Sequence, residues 1–275
     1  GKRPVMVWLH GGGYTAGSGG ATGLDGSNLA QYGDVVVVTL NHRLNAFGYC
    51  HLAGVGGDLF ADSGNAGMLD VVMALEWVRD NIGEFGGDNG NVTIFGQSGG
   101  GSKVAVMMTM PAAKGLFHKA IMQSSSSHLR LASAENADRA AQQLMRKVGV
   151  DSADAMRGID ADALLARYKA AVQANHGNDS FRPVVDGRSI HNHPFDLDAP
   201  DLASDIPLLI GSCETEKSFY DIVLAPEKLS LTPAQLQDDI ARFVGVEDDA
   251  ARELIADYGA RRDGASEREL YNFIS

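Results

Sequence analysis

The chain has 275 residues, 44% of them hydrophobic and 21% charged, a balance that argues against long disordered tracts and suits one large domain or two small ones. A formal net charge of −12 argues against nucleic acid as the main partner, because phosphate binding needs local positive charge. No apolar run approaches the roughly 20 residues of a bilayer span, and the two cysteines, Cys50 and Cys213, make neither a disulfide framework nor a zinc-finger cluster.

In chain order, Gly1 opens the sequence with no charged and apolar leader. An apolar run begins almost at once, and so abrupt a start predicts a fragment. Pro4 to Leu9 reads as a strand buried on both faces of a parallel sheet. It runs into His10-Gly11-Gly12-Gly13-Tyr14 and a Gly/Ser-rich loop from Thr15 to Ser27. Val35 to Leu40 is a second buried strand, and Asn41-His42-Arg43-Leu44 leads into a long loop ending near Asn65. From Ala66 to Asn81 the residues Met68, Leu69, Val72, Leu75, Trp77 and Val78 recur at helical spacing, with Asp70, Glu76 and Arg79 on the wet side. A turn over 83–91 precedes a third strand, Asn91 to Phe95. Then come Gly96-Gln97-Ser98-Gly99-Gly100, a helix from Ser102 to Met110, and a fourth strand from Ala120 to Gln123. Strand signals vanish between Ser133 and Asn175, which reads as an inserted helical region. Strand character returns at Ile206 to Ile210, before Gly211 and a helix-rich end. Strand and helix in alternation predict an α/β fold with a mainly parallel sheet and helices on both faces. The expected parts are a core over 1–130, the helical insertion over 131–200, and a last strand with following helices over 201–275.

In such sheets function gathers at the carboxyl ends of the strands. Two glycine-rich turns there carry chemistry. Gly96-Gln97-Ser98-Gly99-Gly100 holds G-x-S-x-G between a strand and a helix, a turn sharp enough to lift a serine hydroxyl clear of the sheet near a helix N-terminus. In a glycine-rich chain the match alone could be chance; the strand-turn-helix setting gives it weight. After the first strand, the bare backbone of His10-Gly11-Gly12-Gly13 can aim N–H groups into a cavity. A phosphate loop would want Gly-Lys-Ser/Thr and a following helix, and has neither here. The two turns support each other, one supplying a nucleophile and the other charge stabilisation.

The sequence resembles the type-B carboxylesterase family, which includes the cholinesterases, on the α/β-hydrolase fold. The resemblance rests on His10 to Gly13, on Asn41 to Gly48, on Gly64-Asn65-Ala66-Gly67 through Trp77-Val78 to Phe85-Gly86-Gly87-Asp88, and on Val92 to Ser98. It is dense from Pro4 to Ser124 and sparser at Arg182 to Gly187 and Leu208 to Gly211. Esterases of the hormone-sensitive-lipase type share the two glycine motifs but lack the Asn-Ala-Gly block and the Phe-Gly-Gly-Asp turn, so they come second. The resemblance implies Ser98 as nucleophile and the N–H groups of Gly12, Gly13 and Gly99 as oxyanion donors. It implies Glu216 as the acidic triad member; Glu214 is the rival and otherwise an ordinary loop carboxylate. Ser124 matches a serine that supports the acid. It also implies a small-molecule carboxylic ester as substrate, with no metal or organic cofactor. A non-catalytic binding or adhesion module is the competing class. There are departures: Gln97 stands for the usual Glu, Gly99 for Ala, Lys217 for Gly and His42 for Tyr.

Such hydrolases run serine, acid, histidine along the chain. All eight histidines here precede Glu216: His10, His42, His51, His118, His128, His176, His191 and His193. His10 reads as structural, and His191 and His193 as solvent-exposed loop residues. The expectation is therefore a chain truncated at both ends, with its catalytic histidine outside it and little activity of its own.

Overall fold

The computed structural model describes all residues except Gly1, 126–129, 175–180, 196–199, 217, 219–220, 223–225 and Ser275, and leaves out the side chains of 171–174. The chain divides into two compact units, Gly1–Gly211 and Ser212–Ser275.

In the first unit the elements run β1 (Arg3–Leu9), α1 (Ser27–Gly33), β2 (Val36–Thr39), α2 (Asn45–Tyr49), α3 (Ala53–Gly56), α4 (Ala66–Asn81), β3 (Gly87–Gln97), α5 (Gly99–Thr109) and β4 (Lys119–Gln123). There follow β5 (Ala132–Ser133), α6 (Ala134–Val148), α7 (Ala153–Arg157), α8 (Ala161–Ala174), β6 (Val184–Val185) and β7 (Leu208–Gly211). Five strands form one sheet in the order β2-β1-β3-β4-β7. Every pairing in it is parallel, with Val7 opposite Val38 and Ile94, Ile94 opposite Ala120, and Ile121 opposite Leu209. All five carboxyl ends therefore meet at one edge, which holds Leu9, Thr39, Gln97, Gln123 and Gly211.

The sheet is not buried equally on its two faces. Val5, Val7, Leu9, Val92 and Ile94 are fully buried, while Met6 and Trp8 are half-buried and Leu209 and Ile210 are exposed. Helices α4 and α5 pack together on the first face, where Val5 lies near Ile82 at the end of α4. On the other face α1 meets β2, with Val37 against Gly26. A continuous apolar run such as Pro4 to Leu9 predicts burial on both faces, but only one of them is closed in the first unit.

Three further readings are corrected. The segment after the Gly/Ser-rich loop contains α1, and the loop toward Asn65 contains α2 and α3. These helices are short, and none has a side-chain cap bond, so sequence periodicity had little to register. The helical region also holds strand: β5 pairs with β6 in parallel, Ala132 opposite Val184. A two-residue strand has no pattern of its own. It is fixed from afar by buried Asn65, whose Oδ1 accepts from Val184 N–H at 2.8 Å and whose Nδ2 donates to Val184 O at 2.8 Å. Asp70 is not simply on the wet side of α4. Its carboxylate accepts Arg43 Nη2 at 2.6 Å, Nε at 2.9 Å and the Arg43 backbone N–H at 2.8 Å, which ties the Asn-His-Arg-Leu segment to the helix. The helical region shares the core of the sheet: Leu144, Met145, Leu164 and Tyr168 belong to one apolar cluster with Val5, Val7 and Met107.

In the second unit the helices Pro233–Val244, Asp248–Ala260 and Glu267–Ile274 close on a small core of Leu236, Ile240, Ala251 and Tyr271. Thr232 caps the first of them in a capping box with Gln235. No described helix is long and apolar enough to cross a membrane.

Candidate active site

Ser98 stands between the end of β3 and the start of α5, with φ 57° and ψ −126°. A non-glycine residue in that region is strained by about 1–3 kcal/mol and persists only where its surroundings hold it. Here they do. The Ser98 N–H donates to Gln123 O at 2.8 Å, anchoring the turn to β4, and Ser98 O accepts from Ser102 N–H at 3.1 Å in the first turn of α5. Ser102 Oγ donates to Ser125 O at 3.0 Å, which adds a second tie from α5 to the end of β4. Ser98 is half-buried and Gln97 exposed.

The loop after β1 lies directly against this turn. A Cβ built on Gly11 would sit 3.7 Å from Ser98 Cβ and 2.9 Å from Gln97 O. Gly12 and Gly13 both have positive φ, 91° and 61°, which sets their N–H groups in an orientation L-residues rarely adopt. Gly99 is buried so closely on Gly13 that a side chain there would overlap the Gly13 backbone. The glycine that departs from the usual Ala thus brings the helix start and the loop together. Backbone N–H groups from the start of a helix and from an adjoining glycine loop are the parts from which an oxyanion hole is made.

Ser124 follows β4 with φ 51°, and its N–H donates to Gly211 O at the end of β7. Ser98, Gln97, Gly12, Gly13, Gly99 and Ser124 are therefore gathered along one edge of the sheet in the first unit. Glu216 belongs to the second unit and is described within it. It is half-buried, and its Oε1 accepts the Cys213 N–H at 2.7 Å. Glu214 is exposed, 4.0 Å from Arg262, with 75% of its side chain open to solvent. Of the two carboxylates, Glu216 is the one held by its own loop. Lys217, His128 and His176 lie outside the described residues.

Of the described histidines, five have structural partners and His191 is exposed, as expected. His10 Nδ1 lies 2.8 Å from Gly11 O and its ring stacks on His42 at 4.9 Å between centroids, 7° from parallel. His42 Nδ1 lies 2.9 Å from Arg43 O. Burial lowers the pKa of both rings, that of His42 to about 4, so the pair is neutral at pH 7. The His42 that replaces the usual Tyr thus preserves a ring for His10 to stack on. His193 differs from its expected solvent-exposed role: it is half-buried, and its Nδ1 accepts the Leu131 N–H at 3.1 Å. His118 Nδ1 accepts the Val92 N–H at 3.1 Å, and buried His51 lies 3.7 Å from Asp138.

Among the described residues no cluster of His, Cys, Asp and Glu could hold a metal ion. An apolar cavity of about 270 Å³, lined by Phe47, Cys50, Phe60, Met156 and Leu164 among others, includes neither Ser98 nor the loop glycines and has no part in this site.

The family model described as "Carboxylesterase family" matches residues 1–269. The chain belongs to this family. The para-nitrobenzyl esterase of Bacillus subtilis (strain 168) is 42% identical over 218 residues, covering 78% of this chain and 44% of that protein. The phenmedipham hydrolase of Pseudarthrobacter oxydans is 34% identical over 224 residues, 80% of this chain and 43% of that protein. Among solved structures, a Geobacillus stearothermophilus carboxylesterase superposes with a TM-score of 0.85 at 39% identity, covering 98% of this chain and 55% of that one. The fold is thus that of the α/β-hydrolase carboxylesterases. The matched residues span less than half the length of these two curated relatives.

Proposed function

We propose that this chain carries the nucleophile, oxyanion hole and acid of a serine carboxylesterase that cleaves small-molecule carboxylic esters by two-step acyl transfer. Ser98 attacks the ester carbonyl. The N–H groups of Gly12, Gly13 and Gly99 hold the oxyanion, each worth roughly 3 kcal/mol in the transition state. Glu216 orients the histidine that takes the Ser98 proton and returns it to the leaving alcohol, with Ser124 supporting the acid. That histidine is none of the eight in this chain, and a base from the part of the relatives' length beyond it fits the order serine, acid, histidine. In this reading 1–130 is the catalytic core, 131–200 the insertion and 201–275 the acid-bearing part. Gln97 removes a negative charge beside the nucleophile and leaves the imidazolium to Glu216.

The observation that carries the reading is the strained backbone of Ser98 packed against the Gly11 to Gly13 loop. A binding or adhesion module gains nothing from holding a serine at φ 57° beside two positive-φ glycines.

The test is turnover of a short-chain aryl ester by the natural protein carrying this sequence. Glu216→Gln is expected to lower kcat by on the order of 10³- to 10⁴-fold, as losing the orienting carboxylate does elsewhere. Glu214→Gln should leave kcat within about twofold, as for an exposed residue away from the chemistry. The reverse pattern would move the acid to Glu214, and no turnover by the natural protein would end the esterase reading.

A further inference from the structure

All of α5 is buried, and its fifth residue is a lysine. Lys103 has no exposed surface, and its Nζ donates to His10 O at 2.8 Å. The ring of buried Tyr14 lies 5.9 Å from the same nitrogen, a cation–π distance. Burial alone pushes the Lys103 ammonium down to about 7. A fully buried lysine is rare unless it is paired with a carboxylate, and among the described residues the hydrogen-bond partner of this one is a backbone carbonyl. The identity of that carbonyl gives the contact its meaning. His10 is the residue immediately before Gly11, Gly12 and Gly13, and α5 is the helix that begins at Gly99. The bond joins the two segments that supply the oxyanion donors.

We propose that Lys103 is a positioning residue of the oxyanion hole, its Nζ gripping the His10 carbonyl so that the Gly12 and Gly13 N–H groups stand in fixed register with Gly99 N–H over Ser98. Two observations and one energetic argument support this. The stacked His10 and His42 rings hold the side chain of His10, while Lys103 holds its main chain, so the entry to the loop is fixed from two sides. The Gly99–Gly13 approach is close enough that a small shift of the loop would alter the donor geometry. Desolvating an ammonium costs stability, so an apolar side chain of the same length would serve packing better. A residue that costs stability beside a reaction site is explained by what it does there. The inference rests on the esterase reading, since a positioning role needs a reaction to position for.

The experiment compares the natural protein with Lys103→Met, which keeps the length and removes the donor, and with Lys103→Gln, which keeps an N–H donor on a shorter stem. Three quantities are read: kcat and KM for a short-chain aryl ester, the second-order rate of fluorophosphonate labelling at Ser98, and the thermal unfolding midpoint. Lys103→Met is expected to lower kcat and the labelling rate together by about 10- to 100-fold, the scale of an ångström-level misplacement. KM should stay within about twofold, with Lys103→Gln intermediate in kcat, and any fall of the midpoint should be small, because the loss of the bond to His10 O is offset by no longer burying an ammonium. A kcat within twofold of the natural protein overturns the proposal. So does a loss of kcat that merely tracks a lowered midpoint, which would make Lys103 a packing tether. Should Lys103→Met fail to fold, Lys103→Gln decides on the same criteria, and failure of both to fold overturns the proposal. A natural protein that neither hydrolyses ester nor labels at Ser98 refutes the esterase reading itself, and the positioning role with it. Normal turnover by Lys103→Met refutes the positioning role alone.

Discussion

Ser98→Ala is expected to lower kcat/KM for an aryl ester by about 10⁴- to 10⁶-fold, the range seen when a serine hydrolase loses its nucleophile. The fold should survive the change. The backbone at Ser98 is held by its N–H on Gln123 O and its carbonyl on Ser102 N–H, and neither bond uses the hydroxyl. Alanine at φ 57° keeps the strain already present and adds no bulk. Steady-state kinetics and thermal unfolding, measured on the same preparations, check both halves. Activity within tenfold of the natural protein would place the nucleophile elsewhere; a collapsed midpoint would mean that the hydroxyl has a structural bond the account does not give it.

Gly100→Val is expected to prevent folding. Gly100 is the last glycine of G-x-S-x-G, and a Cβ there would overlap Leu9 O and come within 3.0 Å of Leu9 C. Neither side can yield. Leu9 ends β1, which is paired on both sides in the sheet, and Gly100 is fixed in the first turn of α5. Relief would require α5 to leave β1, opening the buried layer around Val104 and Met107. The cost is of the exceptional class, above about 4–5 kcal/mol, comparable with the whole stability of a marginal domain. Gly83→Ala is the control, since nothing lies within 4 Å of a Cβ at that position and its φ is ordinary. Soluble yield and circular dichroism should separate the two, with Gly83→Ala like the natural protein and Gly100→Val unfolded or insoluble. A cooperatively folded Gly100→Val would contradict the close packing of the nucleophile turn on β1.

Much of this site could be read without coordinates, because its requirements are local. A serine between a strand and a helix with glycines two residues to either side has few structural meanings, and the glycines after Leu9 meet the same need for bare backbone. The parallel order of the strands followed from their alternation with helices. What escaped the sequence is long-range. The pairing of β5 with β6 depends on Asn65, more than a hundred residues away from Val184, and no local pattern announces it. Helix α1 is short and uncapped, so its signal was lost in the glycine-rich loop before it. The uneven burial of the sheet is set by which helices cover which face, whereas hydrophobicity along β1 reports only the strand. Lys103 is the instructive case. Nothing in Ser102-Lys103-Val104-Ala105-Val106 gives the direction of that side chain, and only the fold turns it inward onto His10 O.

The central claim is that Ser98 is the nucleophile, and covalent labelling with a fluorophosphonate tests it most directly. The natural protein, treated and digested, should carry one phosphonyl adduct per chain, on the peptide spanning Gly96 to Lys103 and at the Ser98 side chain, with none in Ser98→Ala. An adduct on another serine, or none on a folded and ester-hydrolysing protein, would contradict the account.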